Sequence, residues 1–298
     1  MMTSLIDLKS YPSPFVCAGM RLNVTEPNLR SEVEQYDQQK GTNPMISTIL
    51  SGIGVAMNII DVVSNNVANA KTTGFKRTDM TFGDVYGQAA SAGKSVGSGA
   101  IALSNRQIHA QGALLQTGNS LDLAINGSGY FMLAHPDNDT DILYTRNGAF
   151  QLGADGSIVT TDGRRLLDPK GNPIKVPPVD GSGQLLGNLS IDSAGRVTGA
   201  YGNGPTMVFG QVGLAGFANV SGLTQVGMSR YQTSIASGEP VVRLAGQPGA
   251  GTILSGQLEQ SNTDVTRELT TLLRAQQSFG ANSRMLQTEK SLADRFLR

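Results

Sequence analysis

From Met45 onward, apolar residues recur every three or four positions. Ile46, Ile53, Ile60 and Val67 are seven apart, and Ile49, Ala56, Val63 and Ala70 fill the complementary positions. This pattern predicts a helix whose stripe of Ile46, Ile49, Ile53, Ile60, Val63 and Val67 is offered to another helix. Gly52 and Gly54 weaken it by about 1 kcal/mol each relative to alanine. A second helix is predicted at the other end of the chain. Ser261-Asn262-Thr263-Asp264 is a capping cluster. Val265, Leu272, Phe279, Leu286 and Ala293 then repeat at seven, with Leu269, Gln276, Ser283, Lys290 and Leu297 between them. This second seam is half polar, so a dry two-helix contact along its whole length is not expected.

Between the helices the period shortens. "LDLAING", "GYFMLA", "ILYTR", "GAFQL", "SIVTT" and "TMVFGQVGLAGF" read as short strands. Asn126-Gly127, Asn147-Gly148, Asp155-Gly156, Asp162-Gly163, Gly171-Asn172 and Asn203-Gly204 read as the turns that join them. The reading is an α+β chain. Long N- and C-terminal helices form a coiled-coil-like layer, and an irregular all-β domain lies between them. The expected divisions are a disordered or non-native extension over 1–44, a helix and exit turn over 45–75, and a connector over 76–100. A β-rich domain follows over 101–258, then the C-terminal helix over 259–298. "GQAASAGKSVGSGA" (87–100) and "RLAGQPGAGTILSG" (243–256) read as linking segments.

Composition supports this picture. The chain has 37 glycines, no tryptophan and 39% apolar residues, a profile of turn-rich β structure. Its net charge of zero offers no bulk attraction for nucleic acid. The single cysteine, Cys17, excludes a disulfide within one chain. The apolar stretch from Ile46 to Val63 is broken by Ser, Gly, Asn and Asp, which argues against a membrane span. No signal-peptide pattern opens the chain at Met1.

Candidate chemistry is sparse. Asp137-Asn138-Asp139-Thr140-Asp141 starts like a calcium loop, but Ile142 stands where glycine is required and Gly148 where glutamate is. Gly93-Lys94-Ser95 lacks the first glycine of a phosphate loop, since position 88 is Gln88. His109 and His135 have no cysteine near them to make a zinc set. Lys71, Lys76 and Arg77, with Phe75 the one aromatic among them, are too few for a nucleic-acid platform. No catalytic, cofactor or metal site is assembled, and no small-molecule substrate is expected.

"SNNVANAKTTGFKR" (64–77) resembles the N-terminal signature of the bacterial flagellar rod and hook proteins, the axial family. Its motif residues are Asn65, Asn66, Ala68, Asn69, Thr72, Gly74 and Phe75. The similarity continues through "TGNSLDLAINGSGYFML" (117–133) and "YTRNGAFQLGADGSIVTTDGRRLL" (144–167). It resumes at "GLAGFANVSGLTQVG" (213–227) and "GQLEQSNTDVTRELTTLLRAQQSFGANSRMLQT" (256–288). The resemblance implies a structural subunit of the basal-body rod that polymerises into a tube and transmits motor torque. It also implies export by the flagellar type III apparatus without a cleaved signal peptide, and a place in the periplasmic rod. The implied partners are further copies and other axial proteins. A short hook protein is the alternative, favoured by "MTFGDVYGQ" (80–88). The length from Met45, about 254 residues, suits a rod protein better. A soluble β-domain enzyme and a phage tail-like hub are readings from other classes.

The resemblance also makes sense of three asparagines where a helix ends. There the chain leaves an axial layer for an outer domain. Asparagine can bond exposed backbone groups at such an exit, Gly74 allows a dihedral other residues resist, and Phe75 can anchor the turn. Because helix nucleation is unfavourable, ordering of both helices is expected to accompany association. The switch from aperiodic sequence to heptads predicts that translation starts at Met45. Mass spectrometry of the subunit's N-terminus in purified hook-basal bodies checks this, and a chain beginning at Met1 refutes it.

Overall fold

The computed structural model describes residues 44–86, 97–136, 138–179, 183–202 and 204–296. Cys17, the Gly93-Lys94-Ser95 segment, Asp137 and the proposed extension before Pro44 lie outside these residues.

Helix α1, Pro44–Ala68, begins the described chain. A strand pair follows: β1, Thr78–Tyr86, runs antiparallel to β2, Gly97–Gln107, with two register irregularities. The span 76–100, expected as a connector, thus holds β1 and the start of β2. Helix α2, Val265–Phe296, closes the described chain, about 48 Å long at 1.5 Å per residue. Asp264 caps it, its Oδ1 accepting from the backbone N–H groups of Thr266 (2.9 Å) and Arg267 (3.3 Å).

The helices lie side by side. Gly52, Val55, Ala56 and Ile59 of α1 face Thr271, Ala275, Ser278 and Asn282 of α2 across a groove of about 310 Å³. Small residues let the backbones approach, and Ala56 and Ala275 are both buried. The other flank of α1 carries the hairpin, where the Ala100 N–H donates to Ser51 Oγ at 3.3 Å. By length and composition α1 is apolar enough to cross a membrane. The interruptions in the sequence therefore do not exclude a span by themselves, because isolated Ser, Gly and Asn offset little of so many Ile, Val and Met. In the fold its neighbours are a polar helix and a hairpin.

The β domain is organised on the strand Tyr130–His135, hydrogen-bonded to Asn138–Thr145, Arg165–Leu166 and Gly213–Gly216 within a nine-stranded sheet. Successive side chains of a strand point to opposite faces. Here Phe131 and Leu133 enter one core with Ile125, Phe150, Ile158, Leu166 and Val197, while Tyr130, Met132 and Ala134 enter a second with Tyr144, Leu223 and Tyr231. That is why "YFMLA" is apolar at every position rather than at alternate ones. A separate three-stranded sheet, 186–211, packs Leu189, Ile191 and Val197 onto the first core.

Two short ladders close the domain. Thr252–Ser255 pairs with Leu123–Asn126, and Gln257–Glu259 pairs with Leu114–Gln116. The returning chain thus lies beside the entering chain, and 243–256, expected as a linking segment, is partly strand. Asn147-Gly148 is not a tight hairpin turn. A Cβ on Gly148 would sit 1.7 Å from the Leu123 carbonyl oxygen, so glycine there serves close backbone approach. Asp141, read within a calcium-loop start, lies in the strand Asn138–Thr145 and pairs with Arg164 at 3.1 Å. Because one strand, Tyr130–His135, feeds both cores, a fragment spanning 108–260 should unfold cooperatively in urea. Phe131→Ala should lower its stability by about 3–5 kcal/mol. A fragment with no cooperative transition would show that the domain needs its helices.

Candidate functional site

Two chain passages connect the helices to the β domain, and they run together. The outgoing passage follows α1 through Asn69, Gly74 and Arg77, and the returning one runs from Gly256 to Asp264. The Gly74 N–H donates to the Glu259 carbonyl at 2.8 Å, and the Arg77 N–H to Asn262 Oδ1 at 2.8 Å. The segment 108–113 lies across both. Its Ile108 N–H donates to the Arg77 carbonyl at 2.9 Å, and its Ala113 carbonyl accepts from the Gln260 N–H at 2.8 Å. The Ile108 and Ala110 carbonyls also accept from Asn262 Nδ2, at 2.6 and 3.0 Å.

At the centre is a buried ionic triad. The Lys76 ammonium and the Glu259 carboxylate are paired, and both side chains are wholly buried. Lys76 Nζ also donates to the Ala110 carbonyl at 2.8 Å. Glu259 Oε1 takes a further bond from the Gly112 N–H at 2.9 Å, and Oε2 takes one from Arg146 Nη1 at 3.2 Å. Arg146 Nη2 reaches the Gly127 carbonyl at 2.8 Å, and its guanidinium stands 5.1 Å over the Tyr130 ring. Burial pushes the Lys76 ammonium below its usual pKa, and Glu259 works against that shift. The same burial raises Tyr130 to about 12 and also raises Tyr231.

A second polar knot joins the helices to β1. Asn66, buried, accepts from the Thr78 N–H at 2.9 Å and donates to the Thr78 carbonyl at 2.8 Å. The same Nδ2 reaches Glu268 Oε2 of α2 at 3.2 Å, and Glu268 lies 3.7 Å from Arg77. One asparagine thus completes a strand-like bond pair and ties two helices together.

The motif residues separate by role. Asn66, Gly74 and Phe75 are buried, while Asn65, Ala68 and Thr72 are exposed. Asn69 closes the helix, donating to the Asn65 carbonyl at 3.0 Å and accepting from Thr72 Oγ1 at 3.1 Å. Gly74 has φ +66°, and a Cβ there would lie 2.5 Å from the Asn147 nitrogen. Of the proposed seam, Ile49 and Val63 are buried, and Ile46, Ile53, Ile60, Val67, Leu272 and Leu286 are half-buried. Val265, Leu269 and Phe279 are exposed. Sequence reasoning missed Glu259, Glu268 and Arg146, read Asn262 only within the capping cluster, and weighed Lys76 only for nucleic acid. Its one available signal was charge next to apolar residues, in "GFKR" and "QLEQ".

The profile of the flagellar hook protein FlgE/F/G D1 domain matches residues 124–199, and that of the flagellar basal body rod FlgEFG protein C-terminal region matches 254–298. A flagella basal body rod protein profile matches 57–76. The flagellar basal-body rod protein FlgG of Bacillus subtilis is 36% identical over 266 residues, covering 83% of this chain and 97% of that protein. The chain belongs to the flagellar basal-body rod protein family. The corresponding protein of Agrobacterium fabrum is 34% identical over 82% of this chain and 94% of its own length. The hook protein FlgE of Treponema pallidum is 38% identical, but over only 38% of this chain and 24% of that protein. The rod, rather than the hook, is therefore the place of this structural subunit. The matched ends of the rod protein, 57–76 and 254–298, bring in Asn66, Lys76, Glu259 and Glu268.

Removing Glu259 from this site leaves two buried cations sharing no carboxylate. Glu259→Ala should destabilise the rod protein by about 3–5 kcal/mol. Gly74→Val adds dihedral strain of about 1–3 kcal/mol to a backbone clash. Thermal unfolding measures both, and a melting temperature unchanged in either variant would show that the junction is not under this constraint.

Proposed function

We propose that the rod protein polymerises into a helical tube that transmits motor torque. In it the terminal segments 45–75 and 259–298 form a coiled-coil-like inner layer, and residues 101–258 form the outer domain. Further copies and other axial proteins are its partners. The flagellar type III apparatus delivers it, without a cleaved signal peptide, to the periplasmic rod.

One observation carries the assembly reading: the pairing of α1 with α2 leaves large apolar side chains of α2 uncovered on both flanks of the contact. Val265, Leu269, Leu273, Phe279, Met285 and Leu292 are all more than a third exposed, as are Leu50 and Met57 on α1. Several large apolar side chains left exposed along one helix mark an interaction site. Within the chain, α2 meets α1 through Thr271, Ala275, Ser278 and Asn282, which leaves Leu269 and Leu273 exposed for neighbours. Charge supports contact between copies, since exposed Arg267, Arg274 and Arg284 lie on α2 while exposed Asp61 and Asp84 lie on α1 and the hairpin. Both helices are formed within the single chain. Association then adds cover to helices already paired through small residues, and further stabilises their order.

Leu269→Lys and Leu273→Lys place a charge on the outer face and touch nothing in the junction. The purified variants should keep the native melting temperature within about 0.5 kcal/mol of stability, yet fail to sediment as polymer and fail to restore swimming. Polymers of native yield would overturn the assignment of this face.

A further inference from the structure

The triad leaves one titratable group unused. His109 lies in the 108–113 segment, whose backbone holds both chain passages. Its ring sits in the aromatic cluster of the β domain. Nδ1 is 2.8 Å from the Tyr130 hydroxyl, and the ring meets Tyr130 and Tyr231 edge-on at centroid distances of 6.2 and 5.4 Å. The carbonyls on either side, Ile108 and Ala110, accept from Asn262 and Lys76. His109 therefore pins to the aromatic cluster a strap whose backbone grips the outgoing and returning chain. Gln111 ties the same strap to the β domain, donating to the Ile125 carbonyl at 3.2 Å and accepting from the Gly127 N–H at 3.1 Å.

We infer that His109 is a proton-sensitive pin, whose protonation frees the strap and uncouples the terminal helices from a β domain that stays folded. The groups around the imidazole decide this. Lys76 of the outgoing passage and Arg146 after the strand Asn138–Thr145 are cationic. Tyr130 and Tyr231, from two other strands, are neutral phenols. Glu259 of the returning passage is the one carboxylate of the triad, and it is already bonded to Lys76, Arg146 and the Gly112 N–H. With Nδ1 bare, the Tyr130 hydroxyl donates to it. A protonated ring reverses that bond, with the phenol oxygen accepting, and adds a third cation beside two that share one carboxylate. Ejecting the ring into water relieves this repulsion, and Ile108 and Ala110 move with it.

Burial and the two cations hold the His109 pKa down, from the ordinary 6.5 to about 4. The closed junction therefore binds its proton less readily than the open one. Stability of the closed form is complete above about pH 6.5 and is lost as pH falls toward 4. This behaviour needs no polymer and is a property of the single subunit.

The test is amide hydrogen exchange on the full-length chain at pH 7.5 and 4.5, corrected for intrinsic exchange. The Gly74, Ile108, Gly112 and Gln260 amides report the junction, and those of 123–125 and 131–133 report the core. Junction opening should rise roughly a hundredfold at the lower pH while core protection holds. His109→Gln keeps an acceptor and His109→Phe keeps the ring packing, but neither can titrate, so in either variant the rise should fall below about tenfold. His135→Gln should leave it intact. The imidazole resonance of His109 in the native chain should titrate well below 6. Loosening of junction and core together in the native chain, an ordinary His109 titration, or an undiminished rise in a folded His109 variant would each overturn the inference.

Discussion

Lys76, Arg146 and Glu259 come from three distant stretches of the chain and meet where water does not reach. Two cations and one carboxylate buried together are tolerable only if every bond of the carboxylate is made. That demand brings the outgoing passage, the returning passage and the β domain to one point. The returning strand must lie beside 114–116 to deliver Glu259, and the outgoing turn must pass through Gly74 to deliver Lys76. The Gly112 N–H must face the same oxygen. Loss of any one contact leaves a buried charge, so the junction has little room for intermediate arrangements.

The rest of the architecture follows from that point. The helices emerge side by side because their chain passages do. They then pair through Ala56, Ala275 and neighbouring small residues rather than through the heptad apolar positions of α2. Asn66 and Glu268 extend the polar ties one turn along each helix. A subunit built this way joins its terminal helices to its β domain through a rigid joint. It also leaves Leu269 and Leu273 of α2 exposed.

The β domain supplies a stiff base for the joint. Tyr130 belongs to the second core through its ring and to the junction through its hydroxyl and the Arg146 guanidinium. Phe131, the next residue, faces the opposite core. A single strand thus anchors the ionic site to both apolar cores, so the site's geometry is inherited from packing rather than from loops.

Local pattern was enough to read the two helices, their caps and the hairpin-rich middle, because heptad spacing, Asp264 and the Asp-Gly turns act within a few residues. The family signature was legible for the same reason, being contiguous from Asn65 to Phe75. Tertiary structure alone decided which asparagine is buried, since Asn65, Asn66 and Asn69 are equivalent in composition and differ only in facing. It alone decided that α2 meets α1 through Thr271 and Ala275 instead of Leu269, and that 78–86 pairs with 97–107. It alone assembled Lys76 with Glu259, 183 residues apart. A buried ion pair has no period and no local composition. Its partners are chosen by the approach of distant backbone segments, and the chain records them one charge at a time.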